Sequence, residues 1–115
     1  MLPKEHRLST KFQFNIVRKY GASIKTPYFY INYLKPKNYI GPTKVGFIVS
    51  NKLSKSATKR NKVKRQLREI IRKNMAKIAN DLWISISPKA TIFERKYEEL
   101  STEFDKALQK ISVTR

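Results

Sequence analysis

The sequence of 115 residues contains no cysteine, one histidine and three glycines. Without cysteine, the chain can form neither disulfides nor thiolate metal sites. The glycines stand apart at positions 21, 41 and 46, so no glycine-rich loop is present to cradle a phosphate. The histidine, His6, has no serine, cysteine or aspartate arrangement nearby for nucleophilic catalysis. These absences argue against an enzyme that carries its own active site.

Acidic residues are also scarce. Eight of them stand against 26 lysines and arginines, which gives a formal net charge of +18 and a pI near 10.4. Five of the eight acids fall in the predicted last helix outside its apolar stripe, which is typical of a solvated face rather than of a two-metal nuclease site. We therefore predict no catalytic residue and no metal ligand in this chain. The positive charge predicts a polyanionic partner, either nucleic acid or an anionic membrane.

Long apolar runs are missing as well. No stretch approaches the ~18 residues of a membrane span, and the opening MLPKEHRLST has no signal-peptide apolar region. We therefore expect no membrane partner and a cytoplasmic location. Hydrophobic residues make up 40% of the chain, which is enough for one folded domain over residues 1–115 with a short loose tail after about residue 111.

The most informative stretch is segment 52–77, KLSKSATKRNKVKRQLREIIRKNMAK, which holds 11 of the 26 basic residues. Its apolar residues recur at three- and four-residue spacings and predict a helix with one buried stripe: Val63, Leu67, Ile70, Ile71, Met75 and Ile78. Helix geometry places a cationic row and its neighbours beside that stripe: Lys64, Arg68 and Arg72, with Asn61 and Arg65. The far side holds Glu69, Lys62 and Lys73.

The N-terminal end of this helix carries charges of the wrong sign for helix stability. Ser56 or Thr58 can serve as the N-cap, and the first turns then hold Lys59, Arg60, Lys62, Lys64 and Arg65. Free N–H groups and the macrodipole make this end positive, so each cation costs ~0.3–1 kcal/mol, whereas a phosphate is favoured there. A solvated charged face is the simpler alternative. The placement and density of the cations favour a polyanion site.

The N-terminal part of the chain predicts a shorter helix. Thr10-Lys-Phe-Gln13 is a capping-box pattern that opens a helix up to Tyr20, which Gly21 ends. Its predicted packing arc consists of Phe12, Ile16, Val17 and Tyr20. Phe14 falls off this arc, and the sequence leaves open whether it packs on a second face or is exposed in a groove.

Three segments with β-branched and aromatic residues predict strands, at 28–34, 43–50 and 82–87. In the first, alternation places Phe29, Ile31 and Tyr33 on one face and Tyr28, Tyr30, Asn32 and Leu34 on the other. A second capping-box pattern, Thr91-Ile-Phe-Glu94, predicts a final helix to about Ile111. Exposed aromatic rings can stack on unpaired bases at ~1–3 kcal/mol each, and the candidates are Phe14, Tyr28 and Tyr30.

The strand KVGFIVSNK followed by KLSKSATKRNKVKRQLREIIR is similar to the signature of the bacterial ribonuclease P protein subunit. That signature is an Arg-Asn-Arg centred run on a helix after a strand. The opening HRLSTKFQFNIVRKYG and the later strand followed by Pro-Lys-Ala also resemble the family, so the resemblance covers roughly residues 3–111.

The resemblance implies an α+β fold. It is a two-layer α/β sandwich in the order α-β-β-β-α-β-α, with a mixed four-stranded sheet and a left-handed βαβ crossover around the basic helix. The same architecture occurs in the second domain of a small-subunit ribosomal protein. A short first strand near Ser23–Ile24 follows from the resemblance alone.

The resemblance also implies a role. In the family, a large RNA cleaves precursor tRNA at the mature 5′ end with metal ions, so we expect the holoenzyme to need magnesium. The protein binds that RNA through the motif helix and holds the single-stranded 5′ leader in a cleft between the first helix and the sheet. The implied partners are ribonuclease P RNA and the precursor tRNA leader, without DNA. No cofactor is assigned to the protein itself.

Carried over by position, the motif residues are Arg60, Asn61, Lys62, Lys64, Arg65 and Arg68. Lys52, at the end of the motif strand, and Arg72, in the cationic row, complete the predicted RNA-binding set. Lys62 stands where the family has arginine, and Asn51-Lys52 stands where it has two lysines. Lysine keeps the charge but lacks the bidentate fork of a guanidinium.

The predicted leader-binding cleft consists of Phe14, Arg18, Tyr30 and Asn32. Phe14 matches the family's cleft aromatic on the first helix, whereas Arg18 and Asn32 stand where the family has two further aromatics. We therefore expect Tyr30, on the same strand face as Asn32, to supply part of the stacking. Arg18 is expected to contact a phosphate.

A basic ribosomal or ribosome-assembly protein that binds structured RNA is the alternative, since it would share the charge and a related fold. Preference for precursor over mature tRNA separates the two functions. Sequence-specific DNA binding is disfavoured because the basic helix has no helix-turn-helix partner and nothing indicates dimeric half-sites.

Overall fold

A mixed four-stranded sheet organises the fold. The structure is a computed structural model, and it describes residues 7, 8, 10–50, 52–78, 80–93 and 95–112. The strands are β1 (Ala22–Lys25), β2 (Phe29–Leu34), β3 (Lys44–Phe47) and β4 (Trp83–Pro88). The helices are α1 (Lys11–Tyr20), α2 (Ala57–Asn74) and α3 (Tyr97–Ser112), with 3₁₀ turns at Met75–Lys77 and Ala90–Ile92. This order, α-β-β-β-α-β-α, is the one that the resemblance implies.

The strands lie in the order β1-β2-β4-β3. β2 pairs antiparallel with β1 and β4, whereas β3 pairs parallel with β4. Parallel neighbours need a long crossover, and α2 supplies it between β3 and β4. The left hand of this crossover stays a prediction. β1, which the resemblance alone indicated, is a four-residue edge strand paired with Tyr30–Tyr33.

One face of the sheet and two helices enclose the main core. Phe29 and Ile31 of β2 are fully buried, as the alternation predicted, and Val45, Ile84 and Ile86 extend this face across β3 and β4. α2 covers the face with the predicted stripe: Val63, Leu67, Ile70 and Ile71 are buried, Ile78 is buried after the 3₁₀ turn, and Met75 is half-buried. α3 adds Leu100, Phe104, Ala107 and Leu108. Sheet and helices thus form the two-layer sandwich.

α1 lies on the opposite face of the sheet. Gly46 alternates with the core-facing Val45, and its missing side chain leaves room for the half-buried Phe14, because a Cβ there would overlap the Phe14 ring. Ser85, next to Gly46 in the parallel register, is buried as well. Small residues in the sheet therefore let α1 sit close, with Val17 fully buried.

This position of α1 corrects the predicted packing arc. Val17 is buried and Ile16 half-buried, but Phe12 and Tyr20 are 68% and 63% exposed. The helix is rotated so that Val17 and Phe14 are the residues that approach the sheet. Phe14, which the arc excluded, takes the place expected for Phe12.

The helix ends follow the sequence patterns at two of three positions. Thr10 and Gln13 form the predicted reciprocal capping box of α1. Of the two candidate caps of α2, Ser56 is used, and its Oγ accepts the N–H of Lys59 at 3.3 Å. The predicted capping box at Thr91 is wrong, because Thr91 lies in a 3₁₀ turn and its hydroxyl donates to the carbonyl of Pro27. α3 begins six residues later, and Glu94 lies outside the described residues.

The loops at one end of the sheet are joined by a reciprocal contact. The Asp81 carboxylate accepts the N–H of Gly41 at 2.7 Å, and the N–H of Asp81 donates to the carbonyl of Gly41 at 2.9 Å. Asp81 adopts a left-handed conformation, φ 68°, to make both bonds. Burial and the Asp81 charge raise the pKa of Tyr39 above its ordinary value, so its hydroxyl stays neutral and donates to the carbonyl of Pro42.

We predict that Gly21→Ala destabilises the fold by about 1–3 kcal/mol, because the added Cβ would lie 2.5 Å from the carbonyl oxygens of both Tyr33 and Val17. Both atoms belong to the backbone, so neither can rotate away. Urea unfolding measures the effect, and Ala22→Ser, at the next, exposed position, is the control expected within about 0.5 kcal/mol of the parent. Equal stability of the two variants would contradict the close approach of α1 to β2.

Candidate nucleic-acid interface

The first turns of α2 combine a positive helix end with a cluster of cations. The first turn contains no acid, and Lys59 and Arg60 follow the Ser56 cap directly. Lys59, Lys62 and Arg65 are exposed, whereas Lys64 and Arg68 are half-buried. No acid in the first turn offsets the positive macrodipole, so the electrostatics of this end of α2 favour an anion such as phosphate.

A surface groove runs along this part of α2. It has a volume of about 450 Å³ and is lined by Thr58, Asn61, Lys64, Arg65 and Arg68. Four of these residues belong to the predicted RNA-binding set, and the helix brings them together at the predicted three- and four-residue spacings. Three cations and two neutral hydrogen-bonding side chains therefore face one volume that a phosphate backbone can enter.

Arg72 does not line this groove, although the sequence placed it in the same row. Its guanidinium donates to Glu69 through two nitrogens, Nε at 3.1 Å and Nη2 at 2.5 Å. The two residues are three positions apart, and the arginine side chain spans the distance to the side of the helix where Glu69 lies. The hydrogen bonds from Arg72 hold the pKa of the Glu69 carboxyl below its ordinary value. The carboxylate therefore stays charged and keeps Arg72 occupied at neutral pH.

Arg60 has a structural contact. Its Nη1 donates to the carbonyl of Ser54 at 2.6 Å, and Arg60 itself is half-buried. The bond ties the start of α2 to the turn that follows β3. The first motif arginine thus shapes the approach to the groove as well as adding charge. The sequence offered no signal for this role.

The remaining two members of the predicted RNA-binding set lie outside the groove. Lys52 is exposed in the turn before α2, and Lys62 is exposed on α2. Asn61, at the centre of the motif, is exposed within the groove wall. Asn51, the partner of Lys52 in the motif strand, lies outside the described residues.

The predicted cleft lies on the other face of the sheet, beside α1. Phe14 and Arg18 are one turn apart on α1, with Phe14 over Gly46 and Arg18 exposed. Tyr30 and Asn32 of β2 point to the same sheet face, since they alternate with the buried Phe29 and Ile31. The structure thus brings the four predicted residues to one face. The sequence leaves open whether Phe14 packs on a second face or is exposed in a groove. Phe14 packs on the sheet and remains half-exposed, so both descriptions apply.

Asn32 is held by its neighbour on β1. The Ser23 hydroxyl donates to Asn32 Oδ1 at 2.5 Å, across the register that pairs the two residues. Because Oδ1 accepts this bond, Asn32 directs its amide nitrogen, a donor, elsewhere. The position that carries an aromatic ring in the resembling family is therefore a hydrogen-bonding position in this chain.

Lys89 joins Tyr30 in this region, and sequence analysis gave it no role. Its ammonium lies 4.5 Å from the centroid of the Tyr30 ring and donates to the carbonyl of Thr26 at 2.6 Å. Tyr30 is 39% exposed, so part of the ring stays accessible. The Pro88-Lys89-Ala90 run was visible in the sequence, but the approach of Lys89 to Tyr30 depends on the pairing of β2 with β4.

Tyr28 is wrong as a stacking candidate. β2 begins at Phe29, and Tyr28 packs against the core. Its hydroxyl donates to Glu99 at 3.3 Å, and the Arg95 guanidinium lies 5.3 Å from its ring centroid. Because Tyr28 precedes β2, the alternation of strand residues does not predict the direction of its side chain.

The described residues contain neither a cluster suited to a metal ion nor a helix suited to a membrane. Within the described ranges, no group of three or more histidine, cysteine or acidic side chains lies close enough to hold a metal ion. Among the helices of the described part, none combines the length and apolar character of a membrane span.

We predict different effects for two arginines of α2. Arg60→Ala should lower the free energy of unfolding by about 1 kcal/mol, because the Ser54 carbonyl loses its donor. Arg65→Ala, at an exposed position of the groove, should stay within about 0.5 kcal/mol of the parent while weakening polyanion binding. Chemical denaturation and heparin affinity of the two variants measure both quantities. Equal stability losses would remove the structural role of Arg60.

Comparison with known proteins places this geometry in a family. A family model described as Ribonuclease P matches residues 2–112. The ribonuclease P protein component of Pseudanabaena is 32% identical over 113 residues, covering 98% of this chain and 97% of the relative. That of Thermotoga maritima is 33% identical over 103 residues, covering 90% and 79%.

Solved structures agree with this assignment. The ribonuclease P protein from Thermotoga maritima superposes with a TM-score of 0.80 at 27% identity, over 91% of this chain and 96% of that one. The Staphylococcus aureus protein shares the fold, with a TM-score of 0.81 at 23% identity, over 92% and 94%. The sequence, the sheet order and these matches together show that the chain belongs to the ribonuclease P protein family.

Proposed function

We propose that this chain is the RNA-binding protein subunit of ribonuclease P. It binds the catalytic RNA through the groove of α2 and the single-stranded 5′ leader of precursor tRNA between α1 and the sheet. In this way it assists endonucleolytic removal of the leader to give the mature tRNA 5′ end. The observation that carries the proposal is the groove on α2, where Lys64, Arg65 and Arg68 converge in a chain with a net charge of +18.

The α2 groove suits the backbone of a folded RNA. Its cations release counterions when they neutralise phosphates, and Asn61 and Thr58 add neutral hydrogen-bonding groups. With about 6–10 phosphate contacts, affinity falls ~10³–10⁵-fold between low and moderately raised salt. Arginine side chains can bind a phosphate through two parallel hydrogen bonds, so Arg65 and Arg68 supply orientation beyond charge.

The leader region on the α1 side combines ring surface with cations and hydrogen-bond donors. Phe14 and Tyr30 supply ring surface, and Asn32 supplies an amide donor. Arg18 is exposed at the rim, where its guanidinium donates to Asn15 Oδ1 at 3.4 Å and has further N–H groups to offer a phosphate. The Lys89 ammonium covers part of the Tyr30 ring, so a leader base would stack on the part of the ring that remains open. Leader binding in this chain therefore rests more on charge and hydrogen bonding than on stacked aromatics.

The chemistry belongs to the RNA partner in this proposal. The RNA subunit positions the scissile phosphodiester and the magnesium ions, and the protein's residues bind and orient the two RNAs. Precursor tRNA processing places the protein in the cytoplasm, and neither a membrane nor DNA is a partner.

The proposal predicts that this protein stimulates cleavage of precursor tRNA by a bacterial ribonuclease P RNA at low magnesium. The protein alone should cleave nothing. Stimulation should be lost on Lys64→Ala with Arg68→Ala and retained on Lys106→Ala with Lys110→Ala, which removes equal charge from the exposed side of α3. A folded protein that gives no stimulation would favour the ribosomal alternative.

Tyr30 is predicted to contribute to leader affinity. Tyr30→Ala should weaken binding of precursor tRNA with a long leader by about 5-fold or more, the lower end of one stacking contact. Mature tRNA, which has no leader, should bind the variant and the parent equally. Fluorescence anisotropy of labelled tRNAs with the reconstituted holoenzyme measures both affinities. Unchanged affinity for the precursor would mean that Tyr30 does not replace the missing aromatics.

Glu69 is predicted to weaken RNA binding by occupying Arg72. Glu69→Gln should release this guanidinium, so RNA affinity rises and the slope of log affinity against log salt steepens by about 0.9. Glu103→Gln, which releases Lys106 on α3, is the charge-matched control and should leave the slope unchanged. A parallel rise in both variants would show a response to net charge alone.

A further inference from the structure

The outer side of α1 carries aromatic residues that the fold does not use. Phe12 and Tyr20 are 68% and 63% exposed, although large aromatic side chains are usually much better buried. Together with the half-buried Ile16 between them, they form a stripe at positions i, i+4 and i+8, which we call the outer α1 stripe. Its ends are about 12 Å apart along the helix axis.

The outer α1 stripe is separate from the proposed leader region. Phe14 and Arg18, which border that region, lie about 160° around the helix from the middle of the stripe, at 100° per residue. A nucleotide bound on the stripe is therefore divided from one bound near Tyr30 by the body of α1. The stripe requires its own explanation.

The charges around the outer α1 stripe indicate which kind of partner could bind there. α1 contains Lys11, Arg18 and Lys19 and no acidic residue. The Lys19 ammonium lies 5.4 Å from the Tyr20 ring centroid, so a cation and an aromatic face are presented together. A second copy of this chain would bring another net charge of +18 against the same surface, which like-charge repulsion opposes. Aromatic faces interleaved with cations are what a single-stranded nucleic acid needs.

We propose that the outer α1 stripe is a second single-strand contact, on which unpaired nucleotides stack against Phe12 and Tyr20 while Lys19 meets a phosphate. The inference rests on the proposed function in one respect, that the bound partner is RNA. The nucleotides belong to an unpaired region of the catalytic RNA, since the leader in the proposed function binds on the other side of α1.

The first test compares single-stranded and duplex RNA. Phe12→Ala with Tyr20→Ala should weaken binding of single-stranded oligouridine about 5- to 10-fold, whereas duplex RNA with the same number of phosphates should bind as before. Ile40→Ala is the matched control, because Ile40 is 89% exposed on the loop between β2 and β3. All variants should unfold at the parent temperature, since the removed side chains are exposed.

Several results of this comparison would overturn the proposal. Unchanged oligouridine affinity would do so, and so would an equal loss for the duplex. A dimer of the parent protein that the double variant dissociates, with oligouridine affinity unchanged, would assign the stripe to a second copy.

The second test locates the nucleotides. In a Trp83→Phe background, Phe12→Trp places one tryptophan on the stripe, and stacking of a base should quench its emission. Quenching by ribonuclease P RNA alone is the expected result, whereas quenching only by precursor tRNA with a long leader would overturn the assignment to the catalytic RNA. No quenching by either RNA, while the same variant still stimulates cleavage, overturns this inference and leaves the proposed function intact. If the parent protein itself did not stimulate cleavage of precursor tRNA, that result would instead count against the proposed function.

Discussion

Burial of one apolar stripe of α2 determines where the cations of that helix point. Val63, Leu67 and Ile70 are almost fully enclosed by the sheet and α3, so α2 cannot rotate about its axis without exposing them. The side chains flanking the stripe are consequently fixed in direction to within their own rotamers. Packing energy from the core thereby supports an arrangement of like charges that repel one another and oppose the helix dipole.

The sheet separates two surfaces with different character. α2 and α3 cover one face, and α1 covers part of the other. The α2 groove is lined mainly by cations, as suits a duplex backbone, whereas the α1 side mixes ring surface, an amide and cations. Because the alternation of each strand assigns neighbouring residues to opposite faces, Val45 serves the core while Gly46 makes room for α1.

The sequence predicts those parts of the fold in which a single local pattern, such as apolar spacing, determines which side chains are buried. The apolar spacing of α2 predicts its buried stripe, and the cationic row follows from the same geometry. Arg72 does not join that row because its long side chain reaches Glu69, three residues earlier in the helix. Thr91 does not form the predicted capping box because its hydroxyl donates to the carbonyl of Pro27, a residue distant in sequence. Local patterns do not contain such contacts.

The rotation of α1 was unpredictable for a related reason. Its aromatic residues allow two packing faces, and the choice depends on Gly46, about thirty residues away, which accepts the Phe14 ring. The sequence pattern alone does not predict β1, because four residues with one buried side chain give too little alternation. The role of Lys89 depends on strand pairing in the same way.

The tether on Lys89 has an entropic consequence. A free lysine side chain loses up to about 2 kcal/mol of rotamer freedom when it is immobilised. The Thr26 carbonyl and the Tyr30 ring already restrict the Lys89 ammonium in the folded protein. A phosphate that reaches this ammonium meets a charge with little freedom left to lose, unlike the exposed lysines of α2. Preorganisation of this kind lowers the entropic cost of a phosphate contact at Lys89 relative to a contact with a freely rotating lysine.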